Sequence, residues 1–205
     1  RACAAALANG VSNAILCLPW SNPAFNGLSQ SETVKDEAWT GMARAEFKAT
    51  EGVRFYASWS RGRKNGGFNL DRGQTNLVPD ASRAFPAESA DAFEAGVKSV
   101  MLDRRLLVSA AAFRQTYDDF QLNTFLGTTF LVRSIPEVRA KGVEADFMFL
   151  PFEGLSLQGG LTYAQTEYGD DAVPGLPLLA GRRMNFAPLW SGSLAGTYER
   201  PVAAG

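Results

Sequence analysis

The chain contains no histidine. That absence excludes Ser-His-Asp and Cys-His catalysis, HExxH metal sites and Cys2His2 fingers. Neither sign of charge dominates: 20 Lys and Arg stand against 21 Asp and Glu in 205 residues. The balance excludes a strongly basic nucleic-acid clamp and an acidic disordered tail. Long hydrophobic runs are missing as well, and nothing approaches the ~18 consecutive apolar residues of a transmembrane helix. No charged-then-apolar leader with a cleavage site opens the sequence, so no signal peptide is expected in it. It begins with Arg rather than Met, as expected of a fragment. What is present is 46% hydrophobic, enough to sustain ordered structure. One membrane class survives these exclusions, the β-barrel, because its strands never need long apolar runs.

The dominant pattern is alternation of apolar and polar residues, broken by turn residues. It predicts seven strands, at about 36–48, 53–62, 89–102, 106–121, 137–150, 155–168 and 189–200. In the first, Trp39, Ala43, Ala45 and Phe47 alternate with Thr40, Met42, Arg44, Glu46 and Lys48. In the second, Phe55, Ala57 and Trp59 oppose Arg54, Tyr56 and Ser58. Val143, Ala145, Phe147 and Phe149 oppose Glu144 and Asp146 in the fifth. The fourth is ambiguous, since Ser109, Ala110, Ala111 and Ala112 are small on both faces. Proline cannot donate to a strand ladder, and all ten prolines fall outside these seven segments.

The connections are expected to alternate in length. Ala49–Gly52, Asp103–Arg105 and Pro151–Gly154 are short, and another turn starts at Pro201. The stretches 63–88, 122–136 and 169–188 are long and rich in Gly, Asn, Asp, Arg and Pro. Short turns at one end and long loops at the other fit an outer-membrane barrel. The predicted strand lengths suit a tilted span of ~9–11 residues better than the ~5–6 of soluble sheets. Turns near 51, 104 and 152 recur with a propeller-like period, but a blade needs four short strands where two long ones stand here.

A Lys or Arg at the lipid midplane costs roughly 2–4 kcal/mol. The face carrying Arg44, Glu46, Lys48, Glu94, Lys98, Glu144 and Asp146 is therefore expected to look into the lumen. Trp39, Phe47, Phe55, Trp59, Phe93, Phe147 and Trp190 then look outward. Trp39, Tyr168, Trp190 and Tyr198 suit interfacial girdles. The competing architecture is a soluble β-sandwich with the same aromatics as its core.

Ordered short motifs carry a family resemblance. Tyr56-Ala57-Ser58-Trp59-Ser60-Arg61-Gly62 is followed by Asn65-Gly66-Gly67-Phe68-Asn69, and Glu94-Ala95-Gly96-Val97-Lys98 by Leu102-Asp103-Arg104-Arg105-Leu106. Tyr117-Asp118-Asp119-Phe120-Gln121, Lys141-Gly142-Val143-Glu144, Gly154-Leu155-Ser156-Leu157, Thr162-Tyr163 and Pro188-Leu189-Trp190-Ser191 come next. Over about residues 36–200 the chain resembles TonB-dependent outer-membrane receptors. The resemblance implies an all-β, antiparallel transmembrane barrel, of which the seven strands are about a third of an expected 22. Residues 1–35 are then an extracellular loop segment and 36–205 part of the barrel, with plug and C-terminal strands absent. It also implies TonB-energised uptake of a bulky solute, a ferric siderophore-type complex foremost, in a Gram-negative outer membrane. The rival readings are a passive porin-like channel and the soluble binding module.

The same resemblance frames the candidate residues. No enzyme activity, cofactor or nucleic-acid partner is expected. TonB would be met through the missing N-terminal region, and lipid and lipopolysaccharide would surround the barrel. Cys3 and Cys17 are disulfide candidates in an oxidising surface loop, with two unpaired thiols as the alternative. Arg61, Arg63, Lys64, Arg72, Arg182 and Arg183, with Arg83, are basic loop residues that would meet an anionic ligand or lipopolysaccharide phosphate, or else form ordinary solvated charge. The segment Arg61–Gly67 lacks the Gly-Lys-Ser/Thr ending of a phosphate loop. Glu94, Lys98, Glu144 and Asp146 form a structural ladder of alternating charge rather than an acid/base site. Asp118-Asp119 and Asp170-Asp171 lack EF-hand spacing, so no metal site is expected.

Overall fold

The seven predicted strands form one sheet. A computed structural model describes residues 31–70, 83–125, 130–171 and 179–200, with the single positions 8 and 176. Cys3, Cys17 and Arg72 lie outside the described residues, as does most of the 1–35 segment. Strands β1 (Gly41–Lys48), β2 (Val53–Lys64), β5 (Glu88–Met101), β6 (Leu106–Phe125), β7 (Phe130–Phe149), β8 (Leu155–Tyr168) and β9 (Trp190–Tyr198) follow one another across it. Between β2 and β5, β3 (Gly67–Phe68) and β4 (Ala84–Phe85) form a separate two-stranded sheet. Neighbours run antiparallel, as in Phe47 opposite Phe55, Glu144 opposite Thr162 and Leu161 opposite Gly192.

These registers put like with like. Ala43 meets Trp59, Ala45 meets Ala57 and Phe47 meets Phe55 on one face, while Arg44 meets Ser58 and Glu46 meets Tyr56 on the other. A one-residue slip would exchange the faces, so the alternation itself specifies the pairing. The apolar face stays uncovered: Trp39, Phe47, Phe93, Trp190, Leu194 and Tyr198 are all more than half exposed. A soluble sandwich would bury these side chains, whereas a barrel wall presents them to lipid. Among the described residues no helix is long and apolar enough to cross a membrane. The architecture is a partial antiparallel β-barrel.

Several expected boundaries move. The first strand starts at Gly41 rather than 36, and the second runs on to Lys64. The supposed loop 122–136 is largely strand, because β6 extends to Phe125 and β7 begins at Phe130. Pro136 consequently lies within β7, against the proline test. Its tolerance has a local cause. Asp119 interrupts β6 with φ 55, the backbone signature of a bulge, and accepts a hydrogen bond at Oδ1 from Ser134 Oγ at 2.8 Å. Prolines within sheets are confined to edges and bulges, and Pro136 follows Ser134 by two residues. The stretch after β8 also keeps pairing: Tyr168 N–H donates to Arg182 O, Gly181 N–H to Gly169 O and Met184 N–H to Thr166 O, each at 2.9 Å.

The chain divides into two compact units. One gathers residues up to Ala38 with Arg63–Ser89 and Asp119–Ile135; among its described residues, Leu131, Ile135, Asn69 and Arg83 are buried. The other gathers Trp39–Gly62, Ala90–Asp118 and Pro136 onward, and buries Ala111, Val138 and Tyr168.

Candidate functional site

In the second unit, the polar face of the sheet forms a continuous charged wall. Arg44 Nε donates to Glu46 Oε1 at 2.8 Å, and its guanidinium lies 4.3 Å from the Tyr56 ring centroid. Lys98 Nζ approaches the same ring from β5, at 5.8 Å. The Tyr56 hydroxyl hydrogen-bonds Glu94. Its ring covers Gly96, where a Cβ would meet the Tyr56 Cε1 at 2.7 Å. A cleft of about 310 Å³ opens beside it, lined by Tyr56, Glu94, Lys98, Ser109, Glu144 and Asp146. Charges of both signs stand on β1 and on β5, and β7 adds the acids Glu144 and Asp146, each exposed pair being weak alone. Among the described residues no group of His, Cys, Asp and Glu is placed to hold a metal ion. Chemically it is a hydrophilic lining.

Ser109 on this wall settles the ambiguous fourth strand. Phe113, four residues along β6, sets its ring against Gly142, which shares the face of Glu144. Odd-numbered residues of β6 ahead of Asp119 therefore share the charged face, and Ala110, Ala112 and Arg114 take the apolar one.

In the first unit, polar contacts root the long β2–β5 connection. Asn69 imitates a strand partner: its Nδ2 donates to Val132 O at 3.0 Å, and its Oδ1 accepts from Val132 N–H at 2.8 Å. Gln121 Nε2 donates to Asn65 O at 2.9 Å and to Pro86 O at 3.0 Å, bridging the two ends of the connection. The Gln121 N–H in turn donates to Glu88 Oε2 at 2.8 Å. Arg83, buried, pairs with Glu32 at 2.6 Å. Sequence reasoning missed Asn69 and Gln121; the available signal was an isolated polar residue between two apolar strand ends.

The basic residues expected to meet a ligand separate into spent and unspent charges. Arg61 and Arg63 lie on β2 rather than in a loop. Arg61 pairs with Asp91 at 3.3 Å, and Asp91 also accepts a hydrogen bond from Trp59 Nε1 at 3.1 Å. Arg63 clamps Asp36, its Nε 3.2 Å from Oδ2 and its second nitrogen on Oδ1. That hydrogen bond holds the Asp36 carboxyl below the ordinary carboxylate range. Arg183 donates to Ala187 O at 3.1 Å within its own turn. Lys64, at the end of β2, and Arg182 are exposed.

An alternating strand meander, with a charged wall on one face and uncovered aromatics on the other, has a match among known families. A family model described as "TonB dependent receptor-like, beta-barrel" matches residues 20–205. The chain belongs to that family. Its curated relatives include the metal-pseudopaline receptor CntO of Pseudomonas aeruginosa, 29% identical over 180 residues, which cover 87% of this chain and 23% of the relative. The solved structure of the ferric yersiniabactin uptake receptor FyuA from Yersinia pestis superposes with a TM-score of 0.63 at 22% identity, covering 81% of this chain and 24% of that one. The ferripyoverdine receptor of the outer membrane of Pseudomonas aeruginosa gives 0.61 at 19% identity, covering 85% and 22%. The chain thus spans about a quarter of the length of these relatives. Membership places this TonB-dependent receptor barrel in the Gram-negative outer membrane, in a family of transport receptors rather than enzymes.

Proposed function

We propose that this chain forms part of the wall of a receptor that imports a chelated metal, of the ferric siderophore type, with energy delivered through TonB. The observation that carries the reading is the charged wall of Arg44, Glu46, Tyr56, Glu94, Lys98 and Glu144 on the face turned from lipid. Such a lining suits passage of a large, polar solute and performs no chemistry on it. The relatives named for pseudopaline, yersiniabactin and pyoverdine support a metal chelate as cargo. With no histidine in this sequence, this part of the wall would meet the metal already wrapped in its chelator, or else regions outside the sequence would meet it.

Capture belongs, on this reading, to the long-connection end. Lys64 would meet an anionic chelate, and Arg72 and Arg182, each taken separately, are offered to the same chemistry. Arg61, Arg63 and Arg183 would serve structure instead, because each already has a partner. Residues 1–35 are assigned to an extracellular segment, with Cys3 and Cys17 bridged within it. Contact with TonB falls to a plug outside this sequence.

Uptake of radiolabelled iron from a panel of ferric siderophores, in strains with and without the gene and with and without TonB, tests the proposal. Uptake of one chelate lost in either deletion is expected. Flux that persists without TonB would favour a passive channel.

A further inference from the structure

Two acids four residues apart reach the two roots of the β2–β5 connection. Glu32 pairs at 2.6 Å with Arg83, where the connection returns, and Asp36 takes Arg63, at the end of β2, through both carboxylate oxygens. Asp36 also accepts from the Gly66 N–H. The segment that carries both acids, residues 31–38, has no helix or strand of its own and leads into β1. All these residues belong to one compact unit, together with the Asp119–Ile135 end of the β6–β7 hairpin.

Each acid is linked onward to that hairpin. The Arg83 carbonyl accepts from the Asn69 N–H at 2.6 Å, and the Asn69 side chain holds both main-chain groups of Val132 on β7. Two residues beyond Arg63, the Asn65 carbonyl accepts from Gln121 of β6, which also donates to Pro86 O. One path therefore runs through Glu32, Arg83, Asn69 and Val132, the other through Asp36, Arg63, Asn65 and Gln121. The two anchors differ in strength. The Arg83 side chain is only 10% exposed, and Glu32 is its ion-pair partner among the described residues. Arg83 Nε is buried without a hydrogen-bond partner. Stripping a buried cation of its counter-charge costs more than breaking an exposed pair. Arg63, 28% exposed, is the weaker anchor.

We propose that residues 31–38 are a strap, latched by Glu32 and Asp36, that makes the segment ahead of β1, the β2–β5 connection and the end of the β6–β7 hairpin yield together. All three stand at the long-connection end, opposite the short turns at 49–52, 102–105 and 151–154. In outer-membrane barrels that is the extracellular side. Displacing one of the three pulls on the others through groups already hydrogen-bonded, and such coupling is reciprocal. Exposed ion pairs without onward contacts would loosen alone. The coupling belongs to the chain itself and holds whatever solute is carried.

The test uses the whole receptor in mild detergent, with amide hydrogen exchange read by mass spectrometry and strap release read by trypsin cleavage at Lys35, exposed between the two latches. Glu32→Gln is expected to quicken exchange at Val132, on a different strand, about tenfold. Asn69→Ala, which leaves both latches intact, is expected to speed cleavage at Lys35 by a similar factor, because cleavage follows the population of the open segment. Arg63→Gln is expected to quicken exchange at Gln121 by less, about two- to threefold. Heat-shifted migration on gels confirms the folded barrel, and unchanged exchange over residues 155–163 separates strap release from general loosening. Unchanged exchange at Val132 in folded Glu32→Gln, or unchanged cleavage at Lys35 in folded Asn69→Ala, overturns the coupling; should Glu32→Gln fail to fold, the Asn69→Ala result decides alone. Unchanged exchange at Gln121 in folded Arg63→Gln overturns the second latch.

Discussion

The ring of Phe113 on β6 rests on Gly142 of β7, so closely that a Cβ there would meet Phe113 Cζ at 2.8 Å and Tyr163 O at 2.1 Å. An aromatic ring covering a strand glycine restores the surface that the missing side chain leaves open. Tyr56 over Gly96 repeats the arrangement between β2 and β5. Because the Tyr163 carbonyl belongs to the backbone, Gly142→Ala cannot be absorbed by a rotamer change. We expect it to destabilise the barrel by about 1–3 kcal/mol, read from urea unfolding in detergent. Phe113→Ala in the Gly142→Ala background should relieve little, since the closer clash is with backbone. Full rescue by that second change would show the ring, not the carbonyl, to be the obstacle.

The Arg63–Asp36 clamp has a pH signature. The hydrogen bond from Arg63 lowers the Asp36 pKa, so its ionised form is favoured in the folded chain. The clamp is therefore complete above the ordinary carboxylate range and is lost as pH falls through the lowered value. Carbon-detected NMR titration of labelled Asp36 should show a midpoint below that of exposed aspartates, and Arg63→Gln should restore an ordinary one. Both groups are near the surface, where screening makes such pairs worth little, so global stability should barely move. A midpoint at or above the ordinary range would refute the clamp.

Asn69 satisfies both main-chain groups of Val132 at once. Asn69→Ala leaves a part-buried N–H and C=O without partners, a loss of about 1–3 kcal/mol in local stability. Amide hydrogen exchange at Val132 should quicken accordingly. Asn69→Asp should be as damaging, because a carboxylate accepts from the N–H but sets negative charge against the Val132 carbonyl.

On the apolar face, Asp91 ties Trp59 to Arg61. Removing it by Asp91→Ala frees a cation on a wall that meets lipid. Charge costs roughly 2–4 kcal/mol at the midplane and about 0–1 kcal/mol near the interface. Trp59 stacks on Trp39 with centroids 5.5 Å apart, the aromatic pairing of an interfacial girdle. The smaller cost is therefore expected, measured as folding efficiency into bilayers. A midplane-sized loss would place this ion pair deeper in the hydrocarbon.

What the sequence determined alone is the part that depends on periodicity. A side-chain period of two is local, so alternation named the seven strands and told the lipid face from the charged face before any contact was known. Charge cost then oriented those faces. Contacts between residues distant in sequence were decided only by the tertiary structure. The bulge at Asp119 admits Pro136 into a strand that proline placement had ended, and continued pairing carries β6 and β7 through a stretch that composition marked as loop. Arg61 and Arg63 read as free loop charge until the fold supplied Asp91 and Asp36 as partners. A partner across a sheet is chosen by register and closure, and no window of sequence contains both members of the pair.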